Sequence, residues 1–194
     1  AVARAARDTL GAAVHLVPAA VPPHRGPTAA SAGDRADLLA LAISGEPGLA
    51  VDTRELRREG PSYTVDTLRE VRADLGPRAP LAWLVGADAF RGLAGWHDWR
   101  ALFDLAHFVV AVRPGHGLDE LPETLSGACA GRWAKRPAEL SETAAGRLFR
   151  LDLPPHPAAS SELRRRLAAG EDPGDWLAPA VAVEIARRGL YRAA

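Results

Sequence analysis

The chain of 194 residues has no methionine and a single cysteine, Cys129. One cysteine excludes a framework of internal disulfides and fits a reducing compartment. No apolar run approaches the roughly 20 residues that a bilayer-spanning helix needs, and no signal-like apolar segment opens the chain. Net charge is absent as well, because 24 basic residues balance 24 acidic ones. That balance excludes a surface that coats nucleic acid by charge, so any anionic ligand must be held by locally placed cations. Internal repeats and low-complexity tracts are missing too. These absences describe a soluble, cytoplasmic protein with neither membrane nor nucleic acid as partner.

What is present is an alternation of strand and helix signals. At 47% hydrophobic, the length suits one globular domain over residues 1–194, with residues 155–194 a small C-terminal helical subregion. "RAARDTLG" (4–11) is helical and ends at Gly11. It has no cap and no preceding strand, so it reads as a helix whose start lies upstream. "AVHLVPA" (13–19) and "LAVDTREL" (49–56) read as strands, and residues 20–33 as a loop. Residues 34–44 are helical, with Ser31 and Asp34 spaced as in a capping box. Residues 62–76 form an amphipathic helix with Val65, Leu68 and Leu75 on one face.

"PLAWLVG" (80–86) and "HFVVAVRPG" (107–115) are apolar without period-two alternation, the pattern of parallel strands covered on both faces. Helix-forming segments fill residues 88–106, and helix with loop fills residues 116–147. "RLFRLDL" (147–153) is a last strand, followed by helices over 160–170 and 179–191. The fold class is α/β: a Rossmann-like, doubly wound parallel sheet with a small helical C-terminal part.

In such sheets ligands bind beyond the carboxyl ends of the strands. Gly86 and Asp88 stand at one such end. There Asp88 either caps the next helix or accepts hydrogen bonds from ribose hydroxyls. Trp96 is either a core tryptophan or a platform for a planar ring, while Trp83, Leu84 and Trp99 are assigned to the core. Ser160, Ser161 and Arg164 open a helix after a strand, which describes an anion site or an ordinary capped basic helix. His24 and Arg25, on the proline-stiffened "PPHR" loop, suit a phosphate or carboxylate, or merely solvent. Arg113 is a further cation at a strand end. Ser62, Tyr63 and Thr64 make a hydroxyl-rich turn entering a helix.

Taken in order, "PPHR" (22–25), "GPSYTVDTLRE" (60–70), "VGADAF" (85–90) with Trp96, "FVVAVRPG" (108–115), "SSELRRRL" (160–167) and "GLYR" (189–192) resemble bacterial nicotinate-nucleotide adenylyltransferases. The resemblance runs from about residue 2 to Arg192 and implies a nucleotidyltransferase-type fold. It implies adenylyl transfer from ATP to nicotinate mononucleotide, with Mg²⁺ assisting, giving nicotinate adenine dinucleotide and pyrophosphate in NAD biosynthesis. By that likeness Trp96 would stack on the nicotinate ring and Ser62, Tyr63 and Thr64 would meet its carboxylate. His24 and Arg25 would lie near the mononucleotide. Gly86 and Asp88 would receive the ribose, and Arg113, Ser160, Ser161 and Arg164 would attend the ATP side.

The likeness also implies a first strand followed by Gly-Gly-Thr-Phe-Asp-Pro-x-His-x-Gly-His, whose histidines bind the ATP phosphates. The residues given begin about two or three positions after its expected end, and "RPGHG" (113–117) does not replace it. No catalytic or metal-binding residue is therefore assigned among them, and a sheet without that strand would be poorly stable. A second departure is Ala159, where the family pattern has serine. The alternative function is a non-catalytic nucleotide-binding protein of the same fold.

Overall fold

A computed structural model describes residues 1–23, 29–115, 117–118, 121–155 and 160–191, with backbone alone at 160 and 161. In chain order the elements are α1 (Val2–Leu10), β1 (Val14–Leu16), α2 (Ala32–Ala42), β2 (Leu49–Val51), α3 (Thr64–Leu75), β3 (Ala82–Gly86), α4 (Ala87–Arg91) and α5 (Leu102–Leu105). There follow β4 (His107–Val112), α6 (Glu123–Cys129), β5 (Leu148–Asp152), α7 (Ser160–Ala168) and α8 (Pro179–Arg188). Short 3-10 turns at Arg54–Arg57, Leu93–Gly95, Pro137–Ser141 and Gly174–Trp176 complete the order. The strand and helix alternation expected from sequence is present, and every strand pairing described is parallel.

The chain divides into two compact units. The first, residues 1–12 and 63–155, is built on a three-stranded sheet of order β3-β4-β5. Its rungs set Gly86 opposite Ala111 and Ala111 opposite Leu151. All six residues of β4 are buried, as expected of a strand covered on both faces. β3 departs from that expectation: Val85 is its one buried residue, and Ala82 and Gly86 are exposed. Trp99 lies in the core at 8% exposure, whereas Trp83 and Leu84 are only half-buried. The physical reason is position, since β4 has a pairing neighbour on each side and β3 is paired on one side among the described residues. Val65 and Leu68 of α3 pack with Phe90, Leu93, Phe103 and Phe108 in one apolar cluster.

The second unit, residues 13–62 and 156–194, contains the parallel pair β1-β2 and a small cluster of Leu38, Val181 and Ile185. α2 begins at Ala32, before the expected residue 34, because Ser31 caps it: the Asp34 N–H donates to the Ser31 hydroxyl at 3.0 Å. Arg188 of α8 donates to Asp34 and Asp37 of α2, both at 2.8 Å, and ties the two helices together.

Three element expectations are corrected. The strand expected over 49–56 stops at Val51. Asp52 ends it by accepting from the Arg54 N–H at 3.0 Å and the Arg54 guanidinium at 2.6 Å, a local turn that competes with the ladder. α3 starts at Thr64, leaving Ser62 and Tyr63 outside the helix. Leu75 is 52% exposed and does not share the buried face of Val65 and Leu68. That face is completed by Thr67, which is fully buried and donates its hydroxyl to the Tyr63 carbonyl.

Candidate functional site

The first unit gathers several expected site residues around the carboxyl ends of its strands. Asp88 and Arg113 each stand two residues beyond the Gly86–Ala111 rung, so parallel register delivers an acid and a cation to neighbouring strand ends. Gly86 has an ordinary negative φ of −74°, and a Cβ there would meet nothing within 4 Å. Neither backbone strain nor packing demands its glycine, and the space beside it is open. Asp88 forms an ion pair with Arg91, yet its side chain remains 74% exposed. Arg91 also donates to the Gly117 carbonyl at 2.7 Å and so links the acid to the segment after β4.

An open cavity of about 440 Å³ lies past β4 and β5, lined by Val112, Arg113, Pro114, Gly115, Gly117, Arg150, Asp152 and Leu153. Arg113 is exposed at its edge. Arg150, which donates to Asp152 at 2.8 Å, adds a second guanidinium to the same wall. Sequence reasoning passed over Arg150 and Arg91. The alternation in "LFRLD" already sets Arg150 and Asp152 on one face of β5, opposite buried Phe149 and Leu151. Arg91 sits at i+3 from Asp88, a spacing that pairs charges on a helix.

Trp96 is half-buried and packs against the apolar cluster, so it is neither wholly in the core nor wholly exposed. The Tyr63 ring stacks on His97 with centroids 4.4 Å apart and planes 26° apart. Thr64 opens α3 and is half-buried.

In the second unit Ser62 is buried, and its hydroxyl accepts from the backbone N–H groups of Ala20 and Val21 at 2.9 and 3.2 Å. It therefore braces the segment leading toward the "PPHR" loop, a contact that nothing in the local sequence announces. Arg35 supports the same segment by donating to the Ala19 carbonyl at 2.5 Å. Ser160 and Ser161 form the first turn of α7, and Arg164 is exposed on that helix. His24 and Arg25 lie outside the described residues.

Two titratable groups are buried away from these positions. Burial pushes the Cys129 thiol up to about 11, which keeps it protonated and unreactive at neutral pH. Burial also lowers the pKa of His107, although the Thr143 and Leu140 backbones oppose the shift. Among the described residues no group of three or more histidine, cysteine or acidic side chains could hold a metal ion. Among them, too, no helix is long and apolar enough to cross a membrane.

A model of the cytidylyltransferase-like family matches residues 1–166. A probable nicotinate-nucleotide adenylyltransferase of Stenotrophomonas maltophilia (strain K279a) is 52% identical over 99% of this chain and 89% of its own length. One from Laribacter hongkongensis (strain HLHK9) is 48% identical over 98% of this chain and 86% of its own. Among solved structures, Plasmodium falciparum nicotinic acid mononucleotide adenylyltransferase complexed with NaAD superposes with a TM-score of 0.64 at 15% identity. That match covers 92% of this chain and 82% of the other. The same enzyme complexed with APC gives a TM-score of 0.64 over 97% and 90%. At such low identity these structures speak for the nucleotidyltransferase-type fold, whereas the bacterial relatives speak for the family. With half its residues unchanged over almost its whole length, the chain belongs to the nicotinate-nucleotide adenylyltransferases, within the cytidylyltransferase-like family.

Proposed function

We propose that this protein transfers the adenylyl group of ATP to nicotinate mononucleotide, giving nicotinate adenine dinucleotide and pyrophosphate in NAD biosynthesis. The observation that carries this reading is the 52% identity, over 99% of the chain, to a probable nicotinate-nucleotide adenylyltransferase. In the reaction a phosphate oxygen of the mononucleotide forms a bond to the α-phosphorus, and the bond from that phosphorus to the oxygen bridging to the β-phosphate breaks. Both reactants are polyanions. Catalysis is then alignment and charge neutralisation by positioned donors and cations, with no covalent enzyme intermediate.

The side chains divide by chemistry. Trp96, half-buried and packed against the apolar cluster, serves as the platform for the nicotinate ring. Tyr63 and Thr64, at the entry of α3, serve its carboxylate end, and Ser62 contributes by fixing the segment at Ala20 and Val21. His24 and Arg25 serve the mononucleotide. Open space at Gly86 and the exposed carboxylate of Asp88 suit ribose hydroxyls. Arg113, Ser160, Ser161 and Arg164 serve ATP. Nucleotidyltransferases use a divalent metal ion with the nucleotide, and here it is Mg²⁺, entering as the MgATP substrate. The protein acts in the cytoplasm, as a single nucleotidyltransferase domain.

The test is pyrophosphate release by the purified full-length protein. Release that requires both nicotinate mononucleotide and MgATP is expected. Binding of the mononucleotide without any release would favour the non-catalytic alternative.

A further inference from the structure

Trp96 lies in a short irregular segment between two anchored residues, Leu93 at 0% and Trp99 at 8% exposure. Between them the backbone at Asp98 has φ of 48°, a left-handed conformation that side-chain-bearing residues seldom adopt and aspartate tolerates better than most. Two contacts fasten this turn, one to α3 and one to Tyr63, the residue just before it. Arg69 donates to the Asp98 carboxylate at 2.6 Å, and the His97 ring stacks on Tyr63. Arg69 is itself steadied by Asp66, one turn earlier on the same helix, at 3.3 Å. α3 is a firm support because Val65 and Leu68 are fully buried.

We propose that Arg69 and Asp98 are positioning residues for nicotinate recognition. Their ion pair, with the Tyr63–His97 stack beside it, holds the 96–98 turn against α3 so that the Trp96 ring is set before substrate arrives. The inference rests on the reading of Trp96 as the ring platform. A platform already ordered spares the substrate the entropic cost of ordering it. Such a brace acts on binding of one substrate alone. Its loss therefore raises KM for the mononucleotide and leaves kcat unchanged.

The experiment is steady-state kinetics of the full-length protein, each substrate varied in turn, with thermal unfolding of each variant. Arg69→Met and Asp98→Asn are each expected to raise KM for nicotinate mononucleotide by about two- to fivefold, as befits an exposed pair. KM for ATP and kcat stay within about twofold. The double variant R69M/D98N should rise no further than the singles, and Arg69→Lys should recover part of the loss. Trp96→Ala is the reference. If it raises KM for the mononucleotide and R69M does not, the brace is refuted and the stacking reading stands. If W96A itself leaves that KM unchanged, the stacking reading falls and takes this inference with it. Parallel rises in both KM values with a lowered unfolding temperature would reduce Arg69 and Asp98 to structural residues and overturn the proposal.

Discussion

The backbone N–H of Arg147 donates to Nδ1 of His107 at 2.9 Å, across a separation of 40 residues. The same imidazole bonds through Nε2 to the Thr143 carbonyl at 2.9 Å, and the side chain is fully buried. A carbonyl can only accept and an N–H can only donate, so the ring is neutral with its proton on Nε2. It fastens the start of β4 to the segment entering β5.

Acid should undo this clasp. Burial lowers the folded-state pKa of His107 below its ordinary 6.5, so below about pH 6.5 the unfolded chain takes up a proton that the folded chain refuses. The contribution is complete above that pH and is lost as pH falls toward the folded-state value. Urea midpoints measured from pH 7.5 to 5 should fall for the native protein. They should fall less steeply for His107→Gln, which is also less stable at pH 7.5 by about 1–3 kcal/mol. Equal slopes would place the proton uptake on another group.

Arg72 is the second internal clasp. Its Nε and Nη2 donate to the Leu105 carbonyl at 3.2 and 2.5 Å, Nη1 to Gly76 and Ala79 at 3.3 and 2.5 Å, and Nη2 also to Ala144 at 3.0 Å. All five guanidinium donors are thus spent on backbone oxygens. Lysine has three donors on a single atom and cannot reproduce the fork. Arg72→Lys should lower unfolding free energy by about 1–3 kcal/mol, read from urea titration.

For ligand binding, Trp96→Ala should weaken nicotinate mononucleotide by roughly 1–3 kcal/mol, the worth of one lost stack. Calorimetric titration of the variant checks this. An unchanged Kd with reduced thermal stability would return Trp96 to the core.

Arg113→Ala and Arg150→Ala remove the two guanidiniums that share the cavity beyond β4 and β5. Each should cost about 1–2 kcal/mol in binding of a nucleotide phosphate, seen as a raised KM for ATP with less change for the mononucleotide. The effect should shrink in high salt. A selective rise in the mononucleotide KM would assign the cavity to the other substrate.

Cys129 should be inert. Its thiol is buried at 2% exposure and titrates at about 11. A disulfide reagent at pH 8 should therefore label it only after denaturant is added.

Helix ends were legible because their signals are local. Gly11 and Gly189 both close helices with φ near +60°, a conformation glycine enters without steric penalty, and Ser31 caps α2 by accepting from the Asp34 N–H three residues on. Strand lengths were less so. Residues 49–56 carry the alternation of a strand, but Asp52 turns the chain after three residues because its carboxylate serves the Arg54 backbone and side chain. Leu75 has a position that pattern assigns to the apolar face, yet the helix ends there and leaves it exposed. Asp88 and Arg113 could be placed at strand ends from apolar runs alone. Arg91 and Arg150 could not, because their relevance depends on which segment each guanidinium reaches.

The order of apolar runs, caps and charged residues by itself determined an α/β chain with parallel strands and with acid and cation at strand ends, since these follow from periodicity along a few residues. Tertiary structure alone decided that the Ser62 hydroxyl faces the Ala20 and Val21 amides, that His107 is held neutral, and that Asp98 is drawn to Arg69. Each of those contacts joins groups some 29 to 42 residues apart, and only the packing of whole elements brings them within hydrogen-bonding reach.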